Sequence, residues 1–320
     1  MPIAKTKALR VLFKTLLSLA AMSPCILFAQ SGSPSVSRRE EPAFWAKTGA
    51  WFKGNPYSGE VPLYTAHTKL LFGAGSVGIL DTYLSETTHT GLYLSLLSQT
   101  DYPIRSGRDK WHVYQEIGLY GGLPENPANS STMEFFGGYI SVGAAWRAFL
   151  SKGFSLEMAP LLTIDAQGDL KLSNTNNISN VKASFGLDAW ARLRYRLPLD
   201  AFPMRAQYTV RMPLLHGAFS PSFGQSYYEF VAGESRVMPL KFYPLTVFNG
   251  IDVRQQLLLD LPIRHFTLTI GAEYGYKSHE LNHLRFRQGS WAGLVGVSFD
   301  LFNISGNRSI RSPYIRNAID

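Results

Sequence analysis

Cysteine is nearly missing from this chain: of 320 residues only Cys25 carries a thiol. It lies in the N-terminal segment, so the rest has no disulfide framework and no thiolate chemistry. Charge is scarce as well. Asp, Glu, Lys and Arg make up 17% of the sequence, against roughly 25% in an average soluble domain. Much of the surface is therefore not built for water. Long apolar runs are missing too. Beyond the N-terminal segment nothing approaches the ~18 consecutive apolar residues of a membrane-crossing helix, which excludes a helical multispanning protein. Yet 45% of the residues are hydrophobic and mean hydropathy is −0.04. Apolar and polar residues must be interleaved, the habit of strands with two unlike faces.

The formal charge is +8, but Lys5, Lys7, Arg10 and Lys14 fall in the first thirty positions without an accompanying acid. The remainder is only mildly basic and holds no basic run with interleaved aromatics, so nucleic acid is not expected as a partner. Residues 1–14 are basic, 15–28 are apolar apart from the break at Pro24, and a polar stretch begins at Ala29-Gln30. That order is a secretory signal peptide over 1–29, cleaved after Ala29 although Leu27 is large for its place. Cys25 then leaves with the signal. A lipidated N-terminus at Cys25 is opposed by Pro24 just before it. Residues 30–63, with Ser, Pro, Gly and the cluster Arg38-Arg39-Glu40-Glu41, read as a periplasmic lead-in. Its Trp45, Trp51 and Phe52 suit a membrane surface.

From residue 65 the pattern turns to period two. Phe266, Leu268, Ile270, Ala272, Tyr274 and Tyr276 share one face, and Thr267, Thr269, Gly271, Glu273, Gly275 and Lys277 the other. Residues 181–197 repeat the device, with Val181, Phe185, Leu187 and Leu193 against Lys182, Asp188, Trp190, Arg192, Arg194 and Arg196. So do 250–261 and 291–302. These strands exceed the ~5–6 residues of globular strands and reach or pass the ~9–11 that span a bilayer. Aromatics near strand ends (Phe149, Phe154, Tyr195, Phe202, Phe266, Tyr276 and Phe302) suit interfacial girdles. Tight turns at 151–153, 198–203 and 262–265 alternate with longer polar loops at 121–131, 168–180 and 278–284, as short periplasmic turns alternate with outer loops.

The pattern predicts an all-β fold: a transmembrane antiparallel β-barrel of about twelve strands over 64–302, followed by a tail over 303–320. The predicted strands are 66–80, 88–102, 111–120, 132–149, 154–170, 181–197, 203–213, 225–232, 236–244, 247–262, 265–278 and 285–302. An even number leaves both ends on the periplasmic side. A soluble β-sandwich is the architectural alternative. In the barrel register the lumen is lined by Glu157, Asp165, Asp188, Arg192, Arg194, Arg196, Arg205, Arg211, Asp252, Arg254, Glu273, Lys277 and Asp300. Such a set reads in two ways. It could select small solutes, with the arginines of 181–197 and 203–213 favouring anions. It could equally plug a narrow barrel with salt bridges.

The strings Ile79-Leu80-Asp81-Thr82-Tyr83-Leu84-Ser85 and Phe223-Gly224-Gln225-Ser226-Tyr227-Tyr228-Glu229, with the stretch from Phe248-Asn249 through Arg254-Gln255-Gln256 to Leu261-Pro262, carry a family likeness. The chain resembles an uncharacterised family of outer-membrane β-barrel proteins of Bacteroidota, over most of 65–302. The resemblance implies an architecture and a location, and no activity. The tail departs from barrels that end on a C-terminal aromatic.

Catalytic signals are weak. His279 and His283 straddle a loop beside Glu280, where a solvated turn explains them better than a metal. His89 with Glu86 and Asp81 is the nearest approach to a rim protease, and no nucleophile elbow or phosphate loop is found. The glycines in Phe72-Gly73-Ala74-Gly75-Ser76-Val77-Gly78 sit in a strand pattern with no following helix and read as close strand packing. Tyr120-Gly121-Gly122 and Phe136-Gly137-Gly138-Tyr139 read as rings covering bare backbone. Neither a cofactor nor a metal is expected. The expected partners are outer-membrane lipid and lipopolysaccharide, the barrel assembly machinery and small solutes. The functional readings are a passive channel, a structural or interaction barrel with a plugged lumen, and an outer-membrane hydrolase with rim residues, the sequence favouring a non-enzyme.

Overall fold

The computed structural model describes residues 63–104, 110–151, 153–175, 177–198, 204–221, 242–246, 248–263, 266–301 and 315–317. The expected signal segment, nearly all of the expected lead-in and most of the expected tail fall outside them. Among the described residues twelve strands form: β1 (Leu63–Asp81), β2 (Ser85–Pro103), β3 (Trp111–Glu125), β4 (Glu134–Ser151), β5 (Phe154–Leu170), β6 (Ser179–Arg196), β7 (Arg205–Phe219), β8 (Phe242–Thr246), β9 (Gly250–Ile263), β10 (Phe266–Leu281), β11 (Leu284–Leu301) and β12 (Ile315–Asn317).

Ten of these make a closed antiparallel wall, from β1 to β7 and then β9, β10 and β11, which pairs back onto β1 from Ala66↔Leu301 to Asp81↔Phe286. Closure pairs the backbone groups of what would otherwise be free edges. Followed around the wall, the register returns to β1 displaced by about twelve residues, the stagger of strands tilted by roughly 40°. The start of β1 and the end of β11 share one rim, the terminal rim, with the ends of β2, β4, β6 and β9 and the starts of β3, β5, β7 and β10. The opposite rim carries 82–84, 126–133 and 282–283, with the ends of β5 and β7 and the start of β6.

The wall has ten strands where the sequence suggests about twelve. The predicted strand 225–232 lies outside the described residues. The described part of 236–244 is β8, which pairs with β7 over Leu215–Phe219 on the same edge that β9 takes over Arg205–Arg211. The short β8, broken by Pro244, therefore shares one place in the wall with β9. Away from the wall, β12 pairs in parallel with Leu63–Thr65.

Two loop expectations are also corrected. Gly121–Glu125 continues β3, paired with Thr90–Leu94, so the loop begins at 126. The segment 278–284 is a two-residue turn: Leu281 pairs with Leu284, and Asn282 and His283 take φ of 54° and 63°. Two positive φ values match the strand twist of a tight hairpin, and Asn and His tolerate them better than most residues.

The predicted faces hold. Ile164, Phe185, Leu257, Ile270, Trp291 and Val295 are exposed on the outside, while Lys182, Arg192, Gln256, Thr269 and Glu273 are buried inside. At the terminal rim Phe154 and Tyr195 stack across β5 and β6 at 4.3 Å, and towards the opposite rim Phe185 meets Phe242 at 5.3 Å. Glycine and aromatic alternate between β3 and β4: Tyr120 pairs with Gly137, and Tyr139 with Gly118. A Cβ on Gly137 or Gly118 would lie 2.6 or 2.2 Å from the facing ring, so both rings lie flat on bare backbone. The glycine string 73–78 lies within β1, as close strand packing requires. A Cβ on Gly75 would reach the Trp291 carbonyl oxygen at 1.9 Å.

The interior is not wholly polar. Leu71, Ile79, Leu84, Leu97, Met133, Phe135, Leu258, Phe286 and Leu294 form one buried apolar cluster. The lumen therefore holds a packed apolar cluster, drawn mainly from β1, β2, β4 and β11, beside its charged ones.

Candidate functional site

Inward charges stack along the barrel in successive clusters, each tied by more than one partner. Towards the terminal rim, Arg192 of β6 contacts Asp101 of β2 at 2.6 Å and Glu157 of β5 at 2.5 Å. Arg194 binds the same two acids at 2.8 and 2.9 Å, and Arg147 of β4 adds a bond of 2.6 Å to Glu157. Arg192 is 1% exposed and Glu157 0%. The Arg192 guanidinium also lies over the rings of Tyr114 and Trp190, which stack on each other at 4.3 Å. Beside this cluster Lys69 of β1 reaches Asp260 of β9 at 2.7 Å and Gln207 of β7 at 3.2 Å, and Thr269 donates to Asp260.

At mid-barrel Glu116 accepts hydrogen bonds from Tyr114, Tyr139 and Gln99 at 2.5, 2.6 and 2.9 Å, and Arg211 stands 3.5 Å away. Arg211 donates to Ser141 at 2.7 Å and approaches Asp188, which also holds Thr163 and His216. Higher up, Asp165 binds Lys277 at 2.8 Å and Arg254 at 3.1 Å. Arg254 lies over Tyr139 at 3.9 Å, the ring that Arg211 covers at 4.3 Å. Towards the opposite rim Lys182 of β6 bridges Asp169 and, across the full diameter, Asp81 of β1.

Each charge in these clusters thus has a counter-charge and further hydrogen bonds, the condition for keeping ions out of water. Seven of the ion pairs join strands three to five places apart around the wall, so they act as struts across the lumen. Arg192, Arg194 and Arg211 are committed to Asp101, Glu157, Glu116 and Asp188. No row of cations is left for an anion path among the described residues.

The predicted set is brought together unevenly. Glu157, Asp165, Asp188, Arg192, Arg194, Arg211, Arg254 and Lys277 belong to the struts. Asp300 pairs with His67 at 2.8 Å near the terminal rim. Asp252 is half-buried, 3.8 and 3.9 Å from Lys277 and Arg254. Glu273 is buried and accepts from Tyr93 and Gln256. Arg205 is half-buried, and Arg196 is exposed at the terminal rim. The predicted lumen set lacks Lys69, Gln99, Asp101, Glu116 and Arg147, and also Lys182, although that residue lies on the polar face predicted for 181–197. The in-phase runs Lys69-Leu71 and His112-Tyr114-Glu116 were the available signal.

The enzymatic candidates do not assemble. Asp81 is held by Lys182 and Asn180, and His89 uses Nδ1 on the Thr87 carbonyl at 2.9 Å. His279 packs on Phe286 at 5.1 Å, while Glu280 faces Arg285. Among the described residues no three His, Cys, Asp or Glu side chains converge as metal ligands.

Solved structures with a similar course are distant. The transport unit of the autotransporter AIDA-I from Escherichia coli is 10% identical at a TM-score of 0.41, covering 75% of this chain and 90% of that one. The translocator domain of autotransporter NalP from Neisseria meningitidis is 13% identical at 0.36, covering 80% and 94%. The attachment invasion locus protein Ail of Yersinia pestis is 11% identical at 0.30, covering 73% and 99%. No curated protein matches the sequence. The family described as "Protein of unknown function (DUF3316)" matches residues 59–308, and the chain belongs to that family.

Proposed function

We propose that this protein is an outer-membrane barrel that works closed, as a structural or interaction scaffold presenting its outer rim, with a lumen that does not conduct. The reading rests on the struts: large ionic side chains fill the cross-section from Arg192–Asp101 to Lys182–Asp81, each neutralised within the barrel. The outward apolar faces and the shared rim for both ends of the wall support insertion in an outer membrane, with the terminal rim towards the periplasm. Lipid and lipopolysaccharide then contact the wall, and the barrel assembly machinery inserts it.

The passive channel is the second reading. It needs several struts to rearrange together. Small-solute uptake into proteoliposomes separates the two. The closed barrel leaves swelling rates in isotonic sugar and small-anion solutions at the level of protein-free vesicles. Swelling that scales with the amount of folded barrel favours the channel.

A further inference from the structure

Glu273 is a buried carboxylate, 6% exposed, with hydrogen bonds at 2.9 and 3.3 Å from Gln256 and Tyr93 and, among the described residues, no ion pair. That sets it apart from the other deeply buried acids of the lumen. Arg254 and Lys277, which line the same cavity as Glu273, are committed to Asp165. A carboxylate so placed calls for a counter-charge or a proton.

It borders a cavity of about 30 Å³, room for one or two waters or a small ion. Gly275 and Ser290 face each other across the β10–β11 ladder there, and the missing side chain of Gly275 leaves the space. Gln288, one inward step beyond Ser290, lines the same cavity. It is 8% exposed and its Oε1 has no hydrogen-bond partner. Asp252, held only loosely at 3.8 and 3.9 Å by its neighbours, lines it too. Glu273, Asp252, Gln288 and Ser290, all oxygen-bearing, thus line one small space. Asp252, Glu273 and Asp165 outnumber Arg254 and Lys277 by one negative charge.

We infer that this cavity binds a hard, oxygen-liganded cation, with Glu273 and Gln288 Oε1 as its buried ligands. Mixed carboxylate, amide and hydroxyl oxygens are the donor set such ions take. The inference is independent of whether the lumen conducts.

Tb³⁺, an oxygen-seeking ion, serves as the probe, because Tyr93 and Tyr120 line the cavity and can sensitise its emission. In the refolded barrel, tyrosine-excited emission should saturate at one ion per chain and be displaced by Ca²⁺. Glu273→Gln and Gln288→Leu should each weaken binding about tenfold or more, while Glu86→Gln on the exposed rim should not. Folding of each variant is read from heat-modifiable gel migration, and the two ligand variants stand in for each other if one fails to fold. No sensitised emission from folded wild type, or emission unchanged in both folded ligand variants, overturns the inference. So does an infrared band of a protonated carboxyl that Glu273→Gln removes, since Glu273 would then carry its own proton.

Discussion

Arg192 and Asp101 meet at 2.6 Å although they stand on β6 and β2, four places apart around a ten-strand wall, and Glu157 of β5 closes on the same guanidinium. A pair joined across the lumen binds two distant arcs of the wall together. It also occupies the volume through which a solute would pass.

Removing one partner of this cluster leaves uncompensated buried charge. Arg192→Met is expected to destabilise the barrel by about 3–5 kcal/mol, measured by denaturant unfolding in lipid vesicles. Asp101→Asn should act in the same direction. A change of under about 0.5 kcal/mol would mean that the cluster is hydrated rather than buried.

The rings over glycine give a sharper contrast. Gly137→Ala places a Cβ 2.6 Å from the Tyr120 ring, whereas a Cβ on Gly168 has nothing within 4 Å. The first is expected to cost about 1–3 kcal/mol and the second to fall within about 0.5 kcal/mol. Equal effects would show that Tyr120 does not lie on the β4 backbone.

Register can be checked by labelling, because Cys25 is the sole cysteine and is easily replaced. Single cysteines at Leu162 and Ile164, 55% and 57% exposed, should react with a lipid-soluble thiol probe. A cysteine at Thr163, 2% exposed, should not. Inverted labelling would mean a one-residue slip, which exchanges the two faces.

Period-two patterning made the faces of 181–197 and 266–277 legible, since alternation follows directly from strand geometry. Strand ends were less so. Gly121-Gly122 looks like a loop in sequence, but the neighbouring Tyr93 and Phe135 cover it in a paired strand. Asn282-His283 lacks the glycine that marks most tight hairpins. The place of β8 was illegible, because pairing two segments to one edge of β7 leaves no local trace. Inward charges could be named from parity alone. Their partners could not: Lys69 meets Asp260 from 191 residues away, and only closure of the wall brings them together.

Single-channel recording of the refolded chain in planar bilayers tests the closed lumen most directly, with a variant carrying Arg192→Ala, Arg194→Ala, Asp101→Ala and Glu157→Ala beside it. The account predicts a silent wild type and, where the variant folds, stepwise conductance once those struts are gone. Stepwise conductance from the folded wild type, with an anion preference reduced by Arg211→Glu, would contradict it and establish a channel.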